Sequence, residues 1–177
     1  MNWSESGSNI SLFRKYPELE RKLPYINLGV WPTPVHPLQH LEIEDLWIKR
    51  DDRSSPIYGG NKIRKLAFIL AEARQRKARH LVTLGGIGTH HGLACALFSD
   101  QLGIQCTLLL YHQPVTANVK RNLLLLQKYR ARLVYQKTLA HSLRLLFALA
   151  FQISFGLLCI PRRFQRPRQH RICGCRL

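Results

Sequence analysis

The chain has 177 residues, 46% of them hydrophobic, with a net charge of +17 and a pI near 10.4. Its length allows one core and is short for two. Such a charge ordinarily points to nucleic acid or an anionic membrane, yet all ten acidic residues lie at or before Asp100. Six arginines (Arg162, Arg163, Arg166, Arg168, Arg171 and Arg176) crowd the last 17 residues, so the excess is partly a tail property and not a basic stripe through the fold.

Five cysteines (Cys95, Cys106, Cys159, Cys173 and Cys175) form no pairing ladder. The opening MNWSESGSNISLF has no charged segment leading into an apolar run. Together these predict a cytoplasmic protein with reduced thiols.

In chain order, residues 1–27 are polar and mixed, with Pro17 and Pro24 limiting regular structure, and read as a surface helix and lead-in. In Leu28–Leu38, LGVWPTPVHPL, three prolines force extended backbone along a domain edge. His36 within it reads as hydrogen-bonded to backbone, not catalytic. Leu46–Leu66, LWIKRDDRSSPIYGGNKIRKL, starts as a strand and turns through Ser54, Ser55 and Pro56. It passes Tyr58 and two glycines before Asn61 caps a helix opening at Lys62 or Ile63. A lysine behind a Gly-Gly turn is a candidate for covalent chemistry, although the motif alone more readily describes a βα turn with a surface lysine.

From Lys62 to Lys77, Ile63, Leu66, Leu70 and Ala73 recur at helical spacing, with Arg64, Lys65, Glu72 and Arg76 outward. His80–Leu84 is a short strand that runs into GGIGTHHG, after which Leu93–Leu102 is helical. A strand, glycine-rich turn and helix present backbone N–H groups to an anion or polar ligand edge, though neither the phosphate loop nor GxGxxG is matched.

A strand at Gln105–Tyr111, a helix at Thr116–Tyr129, a strand at Ala131–Tyr135 and a helix at Leu139–Gln152 follow, with a last strand at Gly156–Ile160. Leu145–Ile160 is short for a membrane span and reads as a buried helix followed by a strand. The alternation predicts an α/β fold with an open parallel sheet flanked by helices.

Two polar clusters then stand at strand ends, Asn61-Lys62 with Lys65, and Thr89-His90-His91, and in an open parallel sheet such ends converge on one crevice. Adjacent histidines on a turn point apart, and no other ligand type stands at metal spacing, so no metal is expected. Cys173-x-Cys175 lacks the redox CxxC spacing.

The blocks LGVWPTPVHPL, LWIKRDD, YGGNKIRKL and VTLGGIGTHHGLA, in this order, resemble the pyridoxal-phosphate enzymes of the 1-aminocyclopropane-1-carboxylate deaminase and D-cysteine desulfhydrase group. The resemblance runs from about Leu28 to Pro161. It implies a tryptophan synthase β-like (fold type II) architecture, pyridoxal 5'-phosphate as cofactor, and a small amino acid as substrate. Products would be an oxo acid and ammonia, with sulfide from D-cysteine. It further implies homo-oligomers for the full-length family and neither a nucleic-acid nor a membrane partner.

Position by position, Lys62 matches the lysine that condenses with the cofactor aldehyde, which needs a primary amine kept deprotonated by desolvation. Lys65 matches a basic residue near the cofactor phosphate, and Asn61 shapes the turn. Gly88-Thr89-His90-His91 stands where the family has Gln-Ser-Asn-His. Thr89 keeps the substrate-facing hydroxyl and His91 the histidine, while His90 replaces an asparagine that bonds the cofactor ring oxygen. A cysteine synthase or threonine dehydratase branch stays open.

The resemblance also implies a domain plan: residues 1–66 as the start of a large cofactor domain, 67–160 as a small open α/β domain, and 161–177 as a basic, disordered tail. The family's second half, with its phosphate cradle, pyridine-nitrogen partner and substrate tyrosine, has no counterpart here. Where the family continues Gly-Gly-Ser, this chain reads Arg162-Arg163-Phe164, an output that a one-nucleotide shift in arginine codons allows. The tail is therefore expected to be an out-of-frame reading of a truncated gene, giving a poorly soluble chain that retains cofactor weakly and whose turnover the sequence leaves open. Two other classes remain: nucleic-acid binding through the Arg-rich tail, and membrane association through Leu145–Ile160.

Overall fold

The computed structural model describes residues 10–38, 45–149, 153–154 and 157–160. The Arg-rich tail and Cys173-x-Cys175 lie outside them.

Two sheets organise the chain. The smaller pairs β1 (Val35–Pro37) antiparallel with β2 (Trp47–Lys49), in register Val35↔Lys49 to Pro37↔Trp47. The proline-rich stretch is thus extended, as its fixed φ angles require. The larger has five strands in the order β5-β4-β3-β7-β6. Its parallel part is β3 (His80–Gly86), β4 (Gln105–Tyr111) and β5 (Arg132–Gln136), joined by crossover helices α3 (His90–Gln101) and α4 (Ala117–Lys128). Leu81, Val82, Leu108, Leu109 and Leu110 are all buried, the continuous apolar runs that strands covered on both faces need.

The helices divide by role. α2 (Lys62–Gln75) buries Ile63, Leu66, Ala67, Leu70, Ala71 and Ala73 as one stripe and leaves Arg64, Lys65 and Arg76 exposed, as its periodicity predicts. α3 is central: every residue from Gly92 to Ser99 is buried. One core cluster joins Phe13, Tyr25 and Leu28 to Leu70, Leu81, Phe98 and Leu126. α2 itself runs across residue 66.

The structure departs from the sequence reading at both ends. Residues 11–28 are more than a surface lead-in. Behind α1 (Ser11–Lys15) and a short 3-10 turn at Pro17–Leu19, Phe13, Tyr25, Ile26 and Leu28 are buried. Phe13, Tyr25 and Phe68 form an edge-to-face triad with centroids 5.3–6.0 Å apart, and Ile26 N–H donates to the Ala67 carbonyl. Single aromatics in a polar stretch carry no periodicity, so the sequence could not flag them.

At the other end, α5 (Leu139–Leu149) is followed by β6 (Ile153–Ser154) and β7 (Leu157–Ile160), a hairpin joined by two residues. β7 therefore runs antiparallel to β3, adding a mixed edge to the parallel core, because only a crossover connection could have kept the parallel sense. Among the described residues no helix is long and apolar enough to cross a membrane.

Candidate active site

The lysine turn is built on Asp51. Its backbone carbonyl accepts from Ser54 Oγ (2.6 Å) and from Gly60 N–H (2.7 Å), and Gly60 N–H also reaches Ser54 Oγ (3.0 Å). Ser54 and its neighbour Ser55 are buried. Gly60 has φ +109°, a conformation that costs other residues heavily, while a Cβ on Gly59 would collide with the Asp52 backbone. The Asp51 carboxylate accepts from Arg64 Nη2 (2.7 Å) and Thr33 Oγ1 (3.3 Å), and the Arg64 guanidinium lies 4.3 Å from the Trp31 ring centroid. Arg64 holds the Asp51 carboxyl below its ordinary pKa. The turn is thus clamped to the start of α2 by an ion pair that the sequence reading did not single out.

Asn61 stands at the predicted cap position but does not cap. Its backbone is already helical (φ −68°, ψ −15°), and its Oδ1 accepts from Lys62 Nζ at 2.8 Å. Lys62 is half-exposed and Lys65 exposed. The desolvation expected around the lysine amine is therefore only partly supplied by the described residues.

The glycine-rich turn closes on itself and caps α3. Thr89 N–H donates to the Gly86 carbonyl (2.9 Å), and Thr89 Oγ1 accepts from Gly92 N–H (3.1 Å). This leaves the Thr89 hydroxyl proton free to donate. A Cβ on Gly92 would run into Leu108 and Thr89, so the helix meets β4 without room for a side chain there. From α4, buried Asn122 donates Nδ2–H to the Gly88 carbonyl at 2.8 Å. The sequence reading missed Asn122; its signal was one amide in the otherwise apolar buried stripe Val119, Asn122, Leu126.

The two turns meet. Tyr58 Oη lies 3.2 Å from His90 Nδ1 and 3.4 Å from the His90 carbonyl. His90 and His91 diverge, as neighbours on a turn should: His91 is half-buried, with Nε2 3.5 Å from Cys95 Sγ. Burial first, then Lys65 and Lys62, push the His91 pKa below 6.5. Burial raises the Cys106 thiol to about 12 and the Cys95 thiol further still, so neither is a thiolate at neutral pH. Asn61, Lys62, Thr89, His90 and His91 belong to these two joined turns or to the first helical residues after them, while Lys65 stands one helical turn further along α2. Among the described residues no three His, Cys, Asp or Glu side chains cluster as a metal site would need.

His91 gives the acid behaviour a sign. An unfolded histidine takes up a proton below about pH 6.5, whereas folded His91 resists until lower pH, so the unfolded state binds more protons in that window. Stability is expected to be retained above about pH 6.5 and to fall as the pH drops through and below it. His80, also depressed by burial, adds in the same direction. Denaturant midpoints across this range should fall less steeply in His91→Gln than in the parent chain; identical slopes would contradict the assignment.

A phosphorylated aldehyde suits this donor set. Lys62 offers a primary amine hydrogen-bonded to a neutral oxygen, Lys65 a second cation, and the Thr89-capped end of α3 a favourable dipole for an anion.

The pyridoxal-phosphate dependent enzyme family matches residues 26–151. Nocardicin C-9' epimerase from Nocardia uniformis is 40% identical over 111 residues, covering 63% of this chain and 34% of that protein. A putative 1-aminocyclopropane-1-carboxylate deaminase from Pyrococcus abyssi is 36% identical over 104 residues, covering 57% and 32%. The crystal structure of an ACC deaminase homologue superposes with a TM-score of 0.60 at 30% identity, covering 68% of this chain and 37% of the other. The chain spans about a third of the length of these relatives. With its matched segment carrying both turns, the chain belongs to the pyridoxal-phosphate dependent enzyme family.

Proposed function

We propose that this chain binds pyridoxal 5'-phosphate through Lys62 and contributes to deamination or desulfhydration of a small amino acid of the 1-aminocyclopropane-1-carboxylate or D-cysteine type. The observation that carries the reading is the contact between the lysine turn and the glycine-rich turn at Tyr58 and His90, on a chain of this family. Relatives named D-cysteine desulfhydrase, from Salmonella paratyphi B, and 1-aminocyclopropane-1-carboxylate deaminase, from Variovorax paradoxus, support the substrate class.

When bound, the cofactor supplies an electron sink for charge developing at the substrate's reacting carbon. The chain's own residues do the rest. Lys62 Nζ holds the cofactor and carries a proton, Lys65 and the α3 terminus hold an anionic group, and Thr89 donates its hydroxyl proton to a substrate oxygen. His91, kept neutral by burial and by the two lysines, adds no third cation beside them. The same proposal includes a cytoplasmic setting, in keeping with two buried free thiols, and the division at residues 66 and 160.

A second reading, epimerisation, is favoured by the 40% identity to the nocardicin enzyme. Incubating the chain and cofactor with D-cysteine and with 1-aminocyclopropane-1-carboxylate in deuterated water separates the two. Oxo acid with ammonia, and sulfide from D-cysteine, supports the first reading. Deuterium entering D-cysteine with inversion and no oxo acid supports the second. Neither product would defeat both.

A further inference from the structure

The contact between Tyr58 and His90 spans 32 residues of sequence and asks where its protons sit. The Tyr58 phenol has one proton and two acceptors in reach, His90 Nδ1 at 3.2 Å and the His90 carbonyl oxygen at 3.4 Å. The ring nitrogen is both nearer and the more basic acceptor. A phenol donating to Nδ1 leaves the imidazole proton on Nε2.

Two further observations favour this arrangement. Burial of Tyr58 keeps its phenol protonated, and so a donor. His90 itself is exposed, so its second nitrogen is not consumed in the core.

We propose that Tyr58 is a positioning residue: its hydroxyl caps His90 Nδ1, fixes the Nε2–H tautomer, and so sets His90 as a hydrogen-bond donor to an oxygen of the ligand held at Lys62. The proposal rests on the cofactor reading above. It assigns to this pair the task of joining the two turns and choosing which ring nitrogen donates. A lone, exposed histidine would sample both tautomers and present an acceptor much of the time, which repels an oxygen anion.

The test uses the whole chain labelled with 15N-histidine. Ring 15N–1H correlation spectra at neutral pH, assigned with His90→Asn, are expected to show His90 protonated on Nε2 in the parent chain. Tyr58→Phe keeps the ring and removes the hydroxyl, and should show a mixture of tautomers. Nε2 protonation unchanged in Tyr58→Phe, or Nδ1 protonation in the parent chain, would overturn the proposal.

A second readout titrates pyridoxal phosphate and fixes it with borohydride. Tyr58→Phe should need about three- to tenfold more cofactor for half-maximal label, the loss of one positioned hydrogen bond; equal affinity would count against the proposal. Absence of label on Lys62 in the parent chain would instead defeat the cofactor reading, while the tautomer result would still decide whether Tyr58 fixes His90.

Discussion

Lys62→Ala is expected to reduce borohydride-fixed pyridoxyl label to background at any cofactor concentration. Nothing else at the two turns can replace it. A reversible imine needs a primary amine, and Lys65 lies one helical turn further along α2, exposed and outside the Asp51-centred knot. Because Lys62 is half-exposed and, among the described residues, its amine is hydrogen-bonded to Asn61 Oδ1 alone, its loss should leave stability within about 0.5 kcal/mol of the parent. Circular dichroism and a denaturant curve would show this. Lys65→Ala serves as the contrast: label on Lys62 at saturation, reached at higher cofactor concentration. Undiminished label in Lys62→Ala would remove the assignment.

Phe98→Ala should have the largest effect on folding. Phe98 is fully buried in the middle of α3, in the core cluster that joins the N-terminal aromatics to the sheet. Removing a buried ring and leaving a cavity typically costs about 3–5 kcal/mol. Against a total of about 5–15 kcal/mol for an ordinary domain, that consumes much of the margin. The consequence reaches the site, since α3 carries Thr89, His90 and His91 on its first turn. A denaturant midpoint shifted by less than about 1 kcal/mol would mean that α3 is not central to the core.

The order and type of the central elements were legible because they rest on patterns a sequence carries directly. Ile63, Leu66, Leu70 and Ala73 mark α2 by spacing, and CTLLL marks a strand buried on both faces. The glycine-rich turn was legible for the same reason, standing just after β3, whereas the lysine turn follows β2 of the separate antiparallel pair by twelve residues and is not at an end of the parallel sheet. What sequence could not carry was contact between distant points. The triad of Phe13, Tyr25 and Phe68 joins residues up to 55 positions apart. Asn122 reaches Gly88 across 34 positions and Tyr58 reaches His90 across 32. Local chemistry misled at Asn61, a residue type that favours caps, because its side chain found Lys62 Nζ in place of a backbone N–H. The antiparallel β6–β7 edge was hidden too, since an apolar strand looks the same in either direction.

Peptide mapping of the parent chain after pyridoxal phosphate and borohydride tests the central claim most directly. The account predicts a single pyridoxyl-modified lysine at position 62, within the Tyr58–Lys65 segment, preceded in solution by an absorbance band near roughly 410–430 nm for lysine-bound cofactor. A modified lysine elsewhere, or no modification at saturating cofactor, would contradict it.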